Sequence, residues 1–334
     1  MNYSKLVAKV VLWRITFCVI VATQITALSF TSVNENAHDG KESAYNTQDE
    51  SEVDLYYEVC GRGPPILFLH GFGTNMYSWR YWVTPLSEQY QLILVDLKGF
   101  GSSPKPPDKH YSIADQATLI SQFIRRHNLR NLTIIGHSFG GGVALVTALY
   151  LTEQDPNRLA KLILIDSIAY EQSLPPFIKL LRMPIVGGFL LYLFPIESQV
   201  RWILQLAYYD NNKISDEAVT AYAKALDTAE GRYALIQTAK QIVPANVKEL
   251  IARYQTIKVP TLILWGREDK IVPLEVGNLL YQAISHSKLA IIDQCGHMPH
   301  EEEPEKALAI VQRFMKTNDV GIRKNSLGNS IESR

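Results

Sequence analysis

Ser138 stands in Gly136-His137-Ser138-Phe139-Gly140-Gly141-Gly142, directly after the apolar run Leu132-Thr133-Ile134-Ile135 and before an apolar segment from Val143 to Leu151. A glycine two residues to either side of a serine lets a chain turn sharply from strand to helix. The serine is then held in a strained conformation with its hydroxyl exposed at the strand end. The helix N-terminus beneath it favours developing negative charge. That is the setting of a nucleophile, and a serine nucleophile needs a base. Of the eight histidines, His70 and His137 sit inside turn motifs, His38 lies in a polar stretch, and His110, His127, His286 and His300 read as solvated surface residues. His297 differs. It follows the last apolar run in Gln294-Cys295-Gly296-His297-Met298-Pro299, a loop at a strand's carboxyl end, where open α/β sheets gather their site residues.

A base of this kind is oriented by a carboxylate that also stabilises its cation. Asp269, in Trp265-Gly266-Arg267-Glu268-Asp269-Lys270-Ile271-Val272-Pro273, follows the run Thr261–Leu264 and is the favoured partner. Asp166, just past the run Leu162–Ile165, is the alternative, and Glu268 reads as a solvated neighbour. A fourth loop, His70-Gly71-Phe72-Gly73, follows the run Ile66–Leu69. Its small residues would let backbone N–H groups approach the nucleophile, so the Phe72 and Phe139 amides are the expected oxyanion donors. The chemistry these residue types support is acyl transfer through a serine.

These loops must be positioned by strands. Six short apolar runs, Ile66–Leu69, Leu92–Val95, Leu132–Ile135, Leu162–Ile165, Thr261–Leu264 and Leu289–Ile292, are continuous rather than alternating, as strands covered on both faces should be. Their starts are separated by 26, 40, 30, 99 and 28 residues. Gaps near 30 fit one crossover helix each, and Ile113, Ala117, Ile120 and Ile124 mark one such helical face. The gap of 99 predicts an insertion over residues 171–255 between two strands of one sheet. It reads as helical: Ser215-Asp216-Glu217 would open a helix through Ala218 to Leu226, Glu230 to Ile242 a second, and Val200 to Tyr209 is rich in aromatics.

The Ser, Asp, His order and these four loops resemble the α/β-hydrolase superfamily over roughly residues 53–315. Asp96-Leu97-Lys98-Gly99-Phe100-Gly101-Ser102-Ser103 is similar to that family's turn after its fourth strand, which implies a structural role for Asp96. The resemblance implies an α/β fold: a mostly parallel central sheet flanked by helices, formed by 51–170 and 256–315, with a helical cap at 171–255 inserted before the strand that leads to the catalytic acid. Serine at the nucleophile position separates the chain from the haloalkane dehalogenase and epoxide hydrolase branches, which use aspartate there. The carbon–carbon bond hydrolases are a nearer alternative, because Gly266-Arg267-Glu268-Asp269 and Pro273 resemble theirs. Members of that group tend to carry a Gly-rich oxyanion loop and a Trp after the catalytic His, whereas Phe72 and Met298 stand here.

The expected function is therefore hydrolysis of a hydrophobic carboxylic ester by Ser138, His297 and Asp269, with no metal or organic cofactor. The alternatives are carbon–carbon bond hydrolysis, or a ligand-binding protein that keeps the fold without turnover. Trp202, Tyr208 and Met298 are the candidates for substrate contact, and the segment Gly187 to Ile196 is apolar enough to touch lipid.

Composition agrees with such an enzyme. Of 334 residues 47% are apolar, which excludes disorder over most of the length, and 33 Lys+Arg against 33 Asp+Glu exclude a basic nucleic-acid footprint. The neutrality is a cancellation. Residues 1–29 hold Lys5, Lys9 and Arg14 without an acid, leaving 30 cations against 33 anions on the remainder. A cationic stretch over 1–14, the apolar run Ile15 to Ala27 and small residues at Ala27 and Ser29 are ordered as in a secretory signal. Export is the expectation, to the periplasm or beyond, with a retained membrane anchor as the first alternative and a cytoplasmic protein as the last. Residues 30–50 read as an acidic spacer and 316–334 as a polar tail. Three Cys are too few for a disulfide scaffold, and Cys60 and Cys295 read as separate thiols.

Overall fold

The computed structural model describes residues 53–316. The expected leader, the spacer and all but the first residue of the tail lie outside the described residues. Seven strands form one sheet: β1 (Tyr57–Cys60), β2 (Pro65–Leu69), β3 (Gln91–Val95), β4 (Leu132–His137), β5 (Leu159–Ile165), β6 (Thr261–Gly266) and β7 (Ser287–Ile292). Their spatial order is β1-β3-β2-β4-β5-β6-β7, parallel throughout except for β1, which pairs antiparallel with β3. The six apolar runs are the six parallel strands. The hydrophobic pattern does not predict β1: Tyr57, Glu58 and Val59 are exposed on the sheet edge, so no continuous apolar run marks them.

Helices cover both faces. α1 (Arg80–Ser87) and α12 (Pro304–Lys316) pack with Trp79, Trp82 and Phe314 on one side; α2 (Ile113–Arg126), α3 (Ser138–Gln154) and α10 (Leu274–Ala283) pack on the other. α2 starts in a reciprocal cap, Ser112 Oγ accepting from the Asp115 amide and the Asp115 carboxylate accepting from the Ser112 amide. It buries Ile113, Ala117, Ile120 and Ile124, the face its spacing predicts. α3, buried on all sides over its first twelve residues, Ser138 to Leu149, runs from the end of the central strand β4. The chain thus carries Ser138 into the middle of the fold's carboxyl edge.

Between β5 and β6 lie six helices: α4 (Pro176–Leu181), α5 (Val186–Leu193), α6 (Ile196–Ala207), α7 (Asp216–Leu226), α8 (Ala229–Gln241) and α9 (Val247–Arg253). Ser215 accepts from the Ala218 amide and so starts α7 at the predicted place. Glu301 and Glu302, on the short turn α11 (Pro299–Glu302) two residues past His297, tie this insertion to the sheet. The Glu301 carboxylate accepts from Arg80 at 2.6 Å, from the Tyr222 hydroxyl at 2.5 Å and from the Tyr208 hydroxyl at 3.2 Å. Glu302 accepts from the amides of Asp210 and Gly296, each at 2.7 Å. Buried carboxylates persist when surrounded by donors in this way.

Candidate active site

The turn from β4 into α3 forces Ser138 to φ +52°, a left-handed conformation that side chains other than glycine rarely take. The flanking glycines make it attainable. A Cβ on Gly136 would meet Gly140 O at 2.4 Å, and one on Gly140 would meet Leu69 O at 2.3 Å, so strand, turn and the neighbouring β2 loop close on one another only without side chains. The same holds for Gly71, whose added Cβ would lie 2.8 Å from His137 Nδ1 and 3.4 Å from Ser138 Cβ. The loop after β2 therefore passes directly against Ser138. Phe72 from that loop lines the cavity above Ser138. The Phe139 amide, second in α3, lies outside the helix's own ladder of bonds and is free to donate to an oxyanion.

His297 Nε2 lies 2.8 Å from Ser138 Oγ, and its Nδ1 lies 2.6 Å from Asp269 Oδ2. The carboxylate can only accept, so Nδ1–H donates and Nε2 is left to accept the serine proton. Asp269 Oδ1 is fixed in turn by the amides of Ile271 at 2.7 Å and Val272 at 3.0 Å. The imidazole's backbone is held twice. The His297 amide donates to Ala207 O, at the end of α6, at 2.6 Å, and His297 O accepts from His137 Nε2 at 2.8 Å. The helical insertion thus positions His297 as well as walling the cavity.

Asp166 does not meet the imidazole directly. Its Oδ1 accepts from the Gly266 amide at 3.0 Å, and its carboxyl lies against that of Asp269, one donor atom from each of Asp166, Asp269 and His297 falling within 4.8 Å of the others. This is the one such cluster of histidine and carboxylates among the described residues. Both imidazole nitrogens of His297 are engaged, Nδ1 by Asp269 and Nε2 by Ser138.

Burial, with the Asp269 carboxylate beside it, pushes the Asp166 carboxyl well above its ordinary 3.8. Folding therefore takes up a proton at Asp166, and stability is lost as pH rises from about 4 through the folded value. Asp166→Asn is expected to remove that slope in denaturation measured across pH, making the variant the more stable form above the window. It should also leave the acid limb of the kcat/KM profile in place. A limb displaced to lower pH would mean that an anion, not a neutral acid, had been removed.

Other residues depart from their expected places. His300, expected on the surface, is wholly buried, packed on Trp79 at 4.6 Å and His137 at 4.5 Å between ring centroids. Its alternating exposed-looking neighbours, Glu301 and Glu302, are buried too, because α11 is pinned under the insertion. Burial holds both His300 and His137 well below the usual imidazole value, His137 being pushed down further by His300 and His297, so they are neutral. Glu268 keeps part of its expected exposure but also accepts from the Cys295 amide at 2.9 Å, bracing the loop that carries His297. Tyr208 is not in the cavity: it is 2% exposed and spent on Glu301. Trp202 is 57% exposed, packs at a tilt against Phe194 with ring centroids 5.6 Å apart, and does not line the Ser138 cavity either. Met298 does line it. The aromatic-rich stretch Val200 to Tyr209 gave both residues equal standing, and only the way the chain packs there separates them. Asp96 accepts from the amides of Met76 at 2.8 Å and Ser102 at 2.7 Å, away from the nucleophile. Cys60 and Cys295 are free thiols, and burial pushes the Cys295 thiol up, out of the reactive range.

The cavity over Ser138 holds about 110 Å³. Its walls come from the β2 loop, the start of α3, the β5 and β6 loops and the insertion, among them Phe72, Ile168, Phe177, Leu204, Val247 and Tyr254. Among the described residues no Lys, Arg, Asp or Glu lines it.

A parallel sheet, a strained serine between strand and helix, and a histidine bridging it to a carboxylate define a hydrolase of the α/β class. The family model of the alpha/beta hydrolase fold matches residues 64–195 and 196–304, and the chain belongs to that family. Among its relatives, the hydrolase YugF of Bacillus subtilis is 27% identical over 272 residues, 79% of this chain and 95% of its own. The 2-hydroxy-6-oxo-2,4-heptadienoate hydrolase of Pseudomonas putida is 26% identical over 273 residues, 80% of this chain and 94% of its own. A solved esterase of Exiguobacterium antarcticum shares the fold with a TM-score of 0.68 at 23% identity, covering 79% of this chain and 96% of the esterase.

Proposed function

We propose that the protein hydrolyses a neutral, apolar carboxylic ester. His297 takes the Ser138 proton as Oγ attacks the ester carbonyl, the Phe72 and Phe139 amides receive the oxyanion, and His297 returns the proton to the departing alkoxide. The acyl-enzyme is then opened by a water that His297 deprotonates, and Ser138 recovers its proton. Asp269 keeps Nδ1 protonated throughout and stabilises the imidazolium.

The observation that carries the choice of substrate is the absence of any charged Lys, Arg, Asp or Glu from the cavity's described lining. The Pseudomonas putida relative is named for a dienoate, a carboxylate substrate. A carboxylate carried into an apolar cavity without a cation would lose its hydration uncompensated, which weighs against a carbon–carbon bond hydrolase acting on such an anion. Two further departures from that group support the ester reading, Phe72 in the oxyanion loop and Met298 after the histidine.

A fluorophosphonate probe is expected to label Ser138 stoichiometrically, and p-nitrophenyl esters should be turned over with kcat/KM rising with acyl chain length. Labelling without ester turnover, together with cleavage of a dienoate substrate, would reverse the choice. Absence of labelling would point instead to a binding protein. N-terminal sequencing of the native protein tests the accompanying proposal of an exported enzyme whose leader is cleaved within residues 27–30.

A further inference from the structure

Fifteen large apolar side chains are exposed among the described residues, and eight of them fall between residues 180 and 202. Ile185, Phe189 and Tyr192, spaced as i, i+4 and i+7, form one outward face of α5 and its cap, Ile185 being 91% and Tyr192 60% exposed. The inward face carries Gly187 and Leu191, which are buried. Patches this concentrated mark protein or membrane contacts. Lys179 and Arg182, both exposed, border this one, a complement to phosphate headgroups, and Tyr192 and Trp202 are ring types that settle at the headgroup level.

What lies behind the patch identifies its occupant. Leu180, Phe194 and Trp202 are exposed on the patch and also line a second apolar cavity of about 210 Å³ inside the insertion. That cavity shares Phe72, Thr74, Phe177, Ile203 and Leu204 with the cavity over Ser138. A contact surface for a folded protein has no use for an apolar chamber behind it that shares a wall with the cavity over Ser138. An acyl chain does.

We propose that the face built by α4, α5 and the start of α6 seats on a lipid surface, and that the chamber behind it receives the hydrocarbon chain of an ester drawn from that surface. The seating stands on the patch alone; the chamber's cargo rests on the ester hydrolase reading. No helix among the described residues is long and apolar enough to cross a membrane, so the contact is interfacial.

The test uses the full chain and vesicles of phosphatidylcholine and phosphatidylglycerol containing brominated phosphatidylcholine. Trp79, Trp82 and Trp265 are buried, so quenching of wild type that is lost in Trp202→Phe reports contact at the patch, with Trp13 contributing equally to both. That difference is expected. The combined variant Ile185→Glu, Phe189→Glu and Tyr192→Glu, outside both cavities, should lower the vesicle-bound fraction that depends on the patch by roughly tenfold or more. Its hydrolysis of a soluble short-chain ester should match wild type, which also verifies its fold. Equal quenching of wild type and Trp202→Phe would overturn the proposal. So would a concentration-dependent dimer that the combined variant abolishes, which would assign the face to a second copy. If quenching behaves as expected but no ester is hydrolysed, the seating survives and the ester reading fails.

Discussion

Replacing Ser138 by alanine is expected to lower kcat for the preferred ester by at least about a thousandfold while leaving the thermal transition near that of wild type. The reasoning is chemical. Without Oγ no acyl-enzyme forms, and His297 can at best activate a water held less well than a hydroxyl fixed 2.8 Å from Nε2. The Phe72 and Phe139 amides, proposed to receive the oxyanion, and the cavity remain, so a residual rate above solution is expected rather than none. His297→Ala should fall to a similar level. The double variant should be scarcely worse than either single one, because the two groups act on one proton and their effects do not add. Steady-state rates on a p-nitrophenyl ester, with burst kinetics for wild type, check all three. Turnover retained in Ser138→Ala at more than about a tenth of wild type would remove the serine mechanism altogether.

Glu301→Ala is expected to cost about 3 kcal/mol of folding stability, at the lower end of the range for breaking a buried charge pair, because the Arg80 side chain keeps 17% of its exposure. The substitution strands three donors at once: the Arg80 guanidinium and the hydroxyls of Tyr208 and Tyr222. Burial pushes the Glu301 carboxyl up from its usual range, and Arg80 and the two phenols pull against it. Removing the acceptor leaves the cost of burying those donors with nothing to offset it. For a domain of this size the loss corresponds to a fall in melting temperature on the order of 10 °C. Glu301→Gln, which keeps an acceptor, should fall between the two. The effect reaches the site, because Tyr208 follows directly on Ala207, whose carbonyl holds the His297 amide. Ester turnover should accordingly decay at a lower temperature than in wild type. A melting temperature within about 1 °C of wild type would show that the cluster is better hydrated than its burial implies.

The sheet was legible because strands covered on both faces must be apolar without interruption, and six runs satisfied that. The edge strand β1 escaped because an exposed strand has no such obligation. The helical insertion was legible in outline from one long gap between strands and from the Ser215 cap, but the inward faces of its helices were not. α6 carries Trp202 and is followed by Tyr208, an aromatic pattern that suits either a cavity or a surface; packing leaves Trp202 partly exposed at the rim of the second cavity and places Tyr208 on Glu301.

The sequence by itself determined what short-range stereochemistry determines: a serine forced into a left-handed turn between glycines, a histidine in a loop after the final strand, and two aspartates each one strand end away. Which aspartate meets the imidazole was decided only in three dimensions. Asp269 and His297 are 28 residues apart, and Ser138 and His297 are 159 apart, so their meeting depends on strand order rather than on any local pattern. The same is true of His300, buried against Trp79 and His137 from distant parts of the chain, of Glu301, covered by Tyr208 and Tyr222 of the insertion, and of the apolar chamber, which exists only where five of the insertion's helices enclose it. Local backbone rules are written in neighbouring residues; desolvation and charge pairing belong to whatever the fold brings alongside.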